Sequence, residues 1–255
     1  MQFFNHRGFD LAYFDREPQS GSGDPVLMIH GFASSHFVNW VAPGWFKVLN
    51  DAGYRAIAID NRGHGVSSKS YISADYEPAE MASDAAALLD HLGIERAHVM
   101  GYSMGARIAA FMALSHPDKV ATLVLGGLGI GMVDGVGDWD PIADALLAKD
   151  AAGITHVRGK MFRAFADQTH SDRQALAACI IGSRTLLGEE EVARIGQPTL
   201  IAVGTTDDIA GSPQELAALM PRAEAFSIEG RDHMLSVGDK TFKKRVLEFY
   251  AENPL

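Results

Sequence analysis

Short apolar runs alternate with longer amphipathic stretches along most of this chain, and that rhythm restricts it to one architectural class. Segments 26–30, 54–60, 97–102, 120–125, 199–203 and 223–228 are mostly apolar and bounded by glycine, proline or polar residues. Runs this short and this apolar read as strands buried on both faces. Between them, 78–92 opens on Pro78 and stops before Gly93, 106–116 stops before Pro117, and 212–220 opens on Ser212-Pro213. These are helix start and stop signals. Segment 242–250 reads as a closing helix. Strand–helix alternation builds a parallel sheet covered by helices on both faces, an α/β fold. Segments 3–10 and 11–16, joined near Gly8, read as an antiparallel hairpin at one edge.

The rhythm breaks between Gly126 and Gly196, where no strand pattern occurs and 141–149, 159–167, 172–181 and 189–195 read as helices. The expected organisation is one core domain, residues 1–126 and 197–255, interrupted by a helical cap at 127–196. Sites in parallel sheets lie at the carboxyl ends of the strands, so such an insertion would cover the site as a lid. Gly126, Gly127, Gly129 and Gly131 stand at the hand-over and suggest a hinge.

Composition narrows the function classes. The 255 residues carry 22 basic and 32 acidic side chains, a net charge of −10, which disfavours nucleic acid and acidic membranes as partners. With 47% apolar and 21% charged residues the chain is neither disordered nor fibrous. The single cysteine, Cys179, permits no internal disulfide and no cysteine zinc site. No run reaches the ~20 apolar residues of a membrane span, and the first residues lack the apolar core of a signal peptide. A cytoplasmic protein without metal or cofactor, monomeric or homodimeric, is the expectation.

The sharpest local signal is Gly101-Tyr102-Ser103-Met104-Gly105, set between the 97–102 strand and the 106–116 helix. A nucleophile presented on a tight strand-to-helix turn needs small residues two positions either side, because side chains there would collide. It would also sit at a helix N-terminus, where partial positive charge favours a developing oxyanion. A serine needs a base. His233, in Gly230-Arg231-Asp232-His233 after the last strand, is the preferred one of ten histidines. His91, His98 and His116 lie in or beside helices and strands, while His6, His36, His156 and His170 read as surface or lid residues. His64, in a tight Gly-flanked loop, reads as structural. The base needs an orienting acid, and Gly204-Thr205-Thr206-Asp207-Asp208 offers two at a strand end. Two backbone N–H groups must face the oxyanion. Met104, next to the serine, offers one, and the His30-Gly31-Phe32-Ala33 turn the other, with Phe32 preferred.

Together these pieces resemble the α/β-hydrolase superfamily, specifically a serine carboxylesterase-like member with a small cap. His30-Gly31-Phe32, the 60–67 segment Asp-Asn-Arg-Gly-His-Gly-Val-Ser, Gly101-Tyr102-Ser103-Met104-Gly105, Gly204-Thr205-Thr206-Asp207 and Asp232-His233 follow the family's order across nearly the whole chain. The resemblance implies an eight-stranded, mostly parallel sheet with an antiparallel second strand. It also implies an acid three residues after the strand-end glycine, which favours Asp207 over Asp208. Ser103, Asp207 and His233 become the expected triad, with Phe32 and Met104 amides as the oxyanion hole and His30, Gly31, Gly101 and Gly105 as supporting turns. Members that open epoxides or remove halides use aspartate at the elbow, so Ser103 argues against both. C–C bond hydrolases and cofactor-free perhydrolases keep the serine and stay open as alternatives, as does a non-catalytic hydrolase-like receptor. Lys160, Arg163, Asp167 and Asp172 in the lid suggest a small soluble ester as substrate.

Overall fold

Eight strands form one sheet in the computed structural model, which describes residues 1–255. They are β1 (Gln2–His6), β2 (Phe9–Arg16), β3 (Pro25–Ile29), β4 (Arg55–Ile59), β5 (Ala97–Tyr102), β6 (Val120–Gly126), β7 (Thr199–Gly204) and β8 (Ala223–Ile228). Their spatial order is β1-β2-β4-β3-β5-β6-β7-β8. Only β2 runs antiparallel to its neighbours, β1 and β4, and the rest of the sheet is parallel. This is the arrangement the resemblance implies. The edge hairpin turns at Arg7-Gly8, so β1 ends four residues earlier than the pattern suggested.

The helices follow in chain order: α1 (Trp45–Asp51), α2 (Pro78–His91), α3 (Met104–Ser115), α4 (Gly131–Asp134), α5 (Asp140–Leu147), α6 (Val157–Gln168), α7 (Arg173–Gly182), α8 (Glu189–Val192), α9 (Pro213–Leu219) and α10 (Lys240–Glu252). Ser212 caps α9 by accepting from Glu215 N, and Pro213 takes the first helical position, as the dipeptide predicted. α1 and the π-helical turn Phe37–Val41 before it have no sequence counterpart above. Their apolar residues, Trp40, Trp45, Phe46 and Leu49, are large and clustered, and Pro43-Gly44 cuts the segment into two pieces too short to show a helical period. α8 spans one turn, because after Val192 the chain leaves the helix for the irregular segment leading to β7.

The inner apolar strands are explained by burial on both faces, whereas β8, read the same way from the sequence, is the sheet's edge strand and leaves Glu224, Ala225 and Ser227 exposed. Leu27, Ile29, Ile57, Ile59, Val99, Leu123 and Leu125 face α2, α3 and the helices between β6 and β7. Val26, Met28, Ala56, Ala58, Met100 and Val124 face Trp40, Trp45, Phe242, Val246 and Phe249 on the other side. Neighbouring strand residues alternate between the two cores. No helix is long and apolar enough to cross a membrane.

One buried ion pair ties the first strands to α2. Arg62 Nε and Nη2 donate to Asp84 Oδ2 and Oδ1, each at 2.7 Å, while Nη1 donates to Asp75 O and the guanidinium lies over the Phe9 ring. Removing one partner of such a pair leaves an uncompensated buried charge. Asp84→Ala is therefore expected to destabilise the fold by about 3–5 kcal/mol, read as a lower urea midpoint with an unchanged slope.

Candidate active site

The turn after β5 is forced by close backbone packing. A Cβ on Gly101 would lie 2.1 Å from Gly105 O, and one on Gly105 would lie 2.0 Å from Ile29 O. Only with both positions bare can α3 start directly on the strand end. Ser103 between them has φ 54° and ψ −115°, a conformation that non-glycine residues rarely hold. Ser103 N donates to Gly126 O on β6, which fixes the turn against the neighbouring strand.

The acid and base arrive from the ends of β7 and β8, beyond the intervening β6. His233 Nε2 lies 3.0 Å from Ser103 Oγ, and His233 Nδ1 lies 2.7 Å from Asp207 Oδ2. A carboxylate can only accept, so the Nδ1 proton faces Asp207 and the Nε2 lone pair faces the serine hydroxyl. Asp207 Oδ1 accepts from Ile209 N and Ala210 N at 2.9 and 3.0 Å. Burial works against its charge, yet the His233 hydrogen bond and charge and the two amides hold its carboxyl below the usual range. The choice between adjacent acids is visible here. The Asp207 side chain is 0% exposed against His233, whereas that of Asp208 is 84% exposed and faces Arg158 at 3.6 Å. The two loops are tied to each other, with Thr206 N donating to Arg231 O and Gly230 N to Thr205 Oγ1. A Cβ on Gly204 would lie 2.0 Å from Arg231 O, so that contact requires glycine. Asp232 Oδ1 accepts from Met234 N and Leu235 N and turns the chain just past His233. Tyr102, beside the serine, donates its hydroxyl to His233 O, a contact with no sequence signature.

The turn after β3 lies against the elbow, since a Cβ on Gly31 would be 3.4 Å from Ser103 Cβ. Gly31 N donates to Asn39 Oδ1, and Phe32 N has no acceptor within the chain. Met104 opens α3, so its N–H has no intrahelical acceptor. Ala33 holds φ 58°, and His64 Nε2 keeps it there by accepting from Ala33 N at 3.1 Å. His64 Nδ1 donates to Arg62 O, and His30 Nδ1 to Gly31 O, while His30 Nε2 accepts from Asn61 N. Both rings are thus neutral and buried, and His64 is structural as expected, though what it supports is the turn over Ser103. His36 departs from its surface reading. Its side chain is 12% exposed, and its ring Nδ1 and backbone N both bond Asp60 Oδ1. The spacing gave no sign of this pair, because His36 and Asp60 are joined only by strand pairing.

Burial pushes His30 down to about 4 and His64 down to about 3, since neither can charge without losing an accepted hydrogen bond. Their folded values lie below the unfolded ~6.5, so their contribution is fully present above that pH. It is lost as the pH falls towards 4 and then 3, because the unfolded chain takes up the protons first. Thermal midpoints are expected to be flat above pH 7 and to fall steadily below 6.5. His64→Gln, which can still accept from Ala33 N, should flatten part of that decline in a series of melts.

Two cavities meet at the serine, sharing Phe32, Ser103 and Trp139 as walls. One, of about 520 Å³, contains His233 and is lined by Val38, Met161, Phe162, Phe165 and Leu235. The other, of about 360 Å³, lies on the Met104 side and reaches Arg107, Ile180 and Arg184. The helices between β6 and β7 therefore turn apolar residues towards Ser103. Arg163, read as part of a polar lid face, is buried and donates to Ala145 O, Ala148 O and Asp167. Gly126, Gly127, Gly129 and Gly131 are close-packed. Their Cβ positions would strike Tyr102, backbone at Gly211 and Ser212, or Val136, which accounts for glycine there without a hinge. Arg107 was not singled out from the sequence, although it is the only charge on the otherwise apolar α3.

The comparisons agree with this geometry at the level of the fold. A family model described as the alpha/beta hydrolase fold matches residues 24–166. Epoxide hydrolase B of Mycobacterium tuberculosis is 36% identical over 123 residues, 48% of this chain and 34% of that protein, so the chain spans about a third of this relative's length. A hydrolase from Pseudomonas aeruginosa superposes with a TM-score of 0.79 at 26% identity, covering 97% of each chain. An esterase from Exiguobacterium antarcticum superposes at 0.78 and 20% identity over 96% of each, a likeness of fold alone. With more than half of its length matched by the family model, and with that family's sheet order and strand-to-helix turn, the chain belongs to the alpha/beta hydrolase fold family.

Proposed function

We propose that the chain is a serine hydrolase of carboxylic esters. The observation that carries this reading is the continuous Ser103–His233–Asp207 hydrogen-bond chain at 3.0 and 2.7 Å. Ser103 Oγ attacks the ester carbonyl as His233 Nε2 takes its proton. Phe32 N–H and Met104 N–H receive the oxyanion, and Asp207 stabilises the imidazolium. His233 then protonates the departing alkoxide, and the same nitrogen deprotonates the water that releases the acid. Residues 127–196 act as the cap, closing the site with Trp139, Met161 and Phe162.

A serine at the elbow also argues against the chemistry that the first relative's name carries. Opening an epoxide at Ser103 would leave a serine ether, which an attacking water cannot cleave as it cleaves an acyl ester. An alkyl halide would end in the same trapped ether.

A fluorophosphonate probe is expected to add its mass to the peptide containing Ser103 and to no other, with parallel loss of p-nitrophenyl butyrate turnover. Labelling elsewhere, or full activity after labelling, would overturn the reading. Turnover of a vinylogous 1,5-diketone without ester turnover would assign the same residues to C–C cleavage.

A further inference from the structure

Arg107 stands one turn past Ser103 on α3, 6% exposed and with no carboxylate within ion-pair distance. Its Nη1 donates to Met132 O and Thr185 O and its Nη2 to Gly131 O, each at 3.1 Å. A guanidinium has five N–H donors, so Nε–H and one Nη2–H have no acceptor within the chain. A buried cation facing only carbonyl dipoles is under-compensated, and burial pushes its pKa down to about 10. Arg184 lines the same cavity. Its Nε donates to Ile180 O and its Nη1 pairs with Asp140, but its buried Nη2 has no partner. Two guanidiniums with unmet donors thus converge on one cavity that also holds Ser103. The carboxylates lining it, Asp134 and Asp138, are exposed and pair with neither arginine, so water screens them where it cannot screen Arg107.

The two cavities have distinct places in the reaction. His233 lines the apolar cavity, and the leaving alcohol must lie beside His233 to take its proton. The acyl chain is then directed into the cavity with Met104, Arg107 and Arg184. We propose that this cavity is an anion subsite and that the natural substrates are esters whose acyl chain ends in a second carboxylate. A planar carboxylate can take two parallel N–H donors from a guanidinium, which suits the unmet donors present. The proposal rests on the esterase reading for its orientation, but not for the existence of the subsite.

Monoethyl glutarate and ethyl pentanoate differ only in the terminal group, and pH-stat titration follows both. The expected kcat/KM is at least tenfold higher for monoethyl glutarate, and Arg184→Gln is expected to remove that preference mainly by raising KM. Equal or better turnover of ethyl pentanoate, or a preference that survives Arg184→Gln, overturns the subsite and leaves the esterase reading standing. Arg107 also holds the carbonyls of Gly131, Met132 and Thr185, so its variants can fail to fold. Arg184 carries the test for that reason. Calorimetry with free glutarate on the Ser103→Ala protein addresses the subsite without any turnover. Saturable binding that weakens at least tenfold in the added presence of Arg184→Gln supports it, and absence of saturable binding overturns it. If neither ester is hydrolysed the esterase reading fails, and the glutarate result alone decides the subsite.

Discussion

Ser103→Ala is expected to lower ester turnover by a factor on the order of 10⁶ while leaving the thermal midpoint within about 2 °C of the parent. The two halves of that expectation have separate causes. The hydroxyl is the only group lost, and without it His233 has no proton to take and no acyl-enzyme forms. The turn itself is set by the bare positions 101 and 105 and by Ser103 N on Gly126 O, none of which involves Oγ. Alanine therefore inherits the same φ of 54° and the same backbone bonds. Residual activity then reports what Phe32 and Met104 amides and the cavity walls supply alone. Steady-state rates with a matching melt by circular dichroism check both halves. Retained turnover in a folded variant would remove Ser103 from the chemistry.

What the sequence disclosed, and what it hid, divides along a physical line. Strands buried on both faces leave an unmistakable apolar run, and the elbow needs glycine at two fixed positions, so both are written locally. Asp207 and His233 were legible because each follows a strand end at short range. The partnership of His36 with Asp60 was not, since it depends on β3 and β4 lying side by side. The support that His64 gives to Ala33 crosses the same pair of strand ends. Helix α1 was missed because its aromatic residues serve the core more than any helical periodicity. The polar reading of the lid failed at Arg163 for a related reason. A charged residue can be turned inward wherever helix-end carbonyls wait for donors, and the carbonyls of Ala145 and Ala148 do so at the end of α5.

Asp207→Asn is expected to reduce kcat by about 10⁴-fold, and Asp208→Asn to change it by less than about twofold. The carboxylate accepts the Nδ1 proton of His233 and so leaves Nε2 bare towards Ser103. An asparagine can instead offer its amide N–H to Nδ1. The imidazole proton then moves to Nε2, which can no longer receive the serine's proton. The fold has little reason to object, because the asparagine oxygen still accepts from Ile209 N and Ala210 N at the position of Oδ1. Loss of activity with a preserved melting curve is therefore the signature. Asp208 shares neither contact. Its carboxylate reaches only Arg158, at 3.6 Å and in solvent, where an ion pair contributes about 0–1 kcal/mol. If Asp208→Asn proved the crippling change and Asp207→Asn the mild one, the acid would have to approach His233 from the solvent side, and the loop after β7 would need a different conformation during turnover.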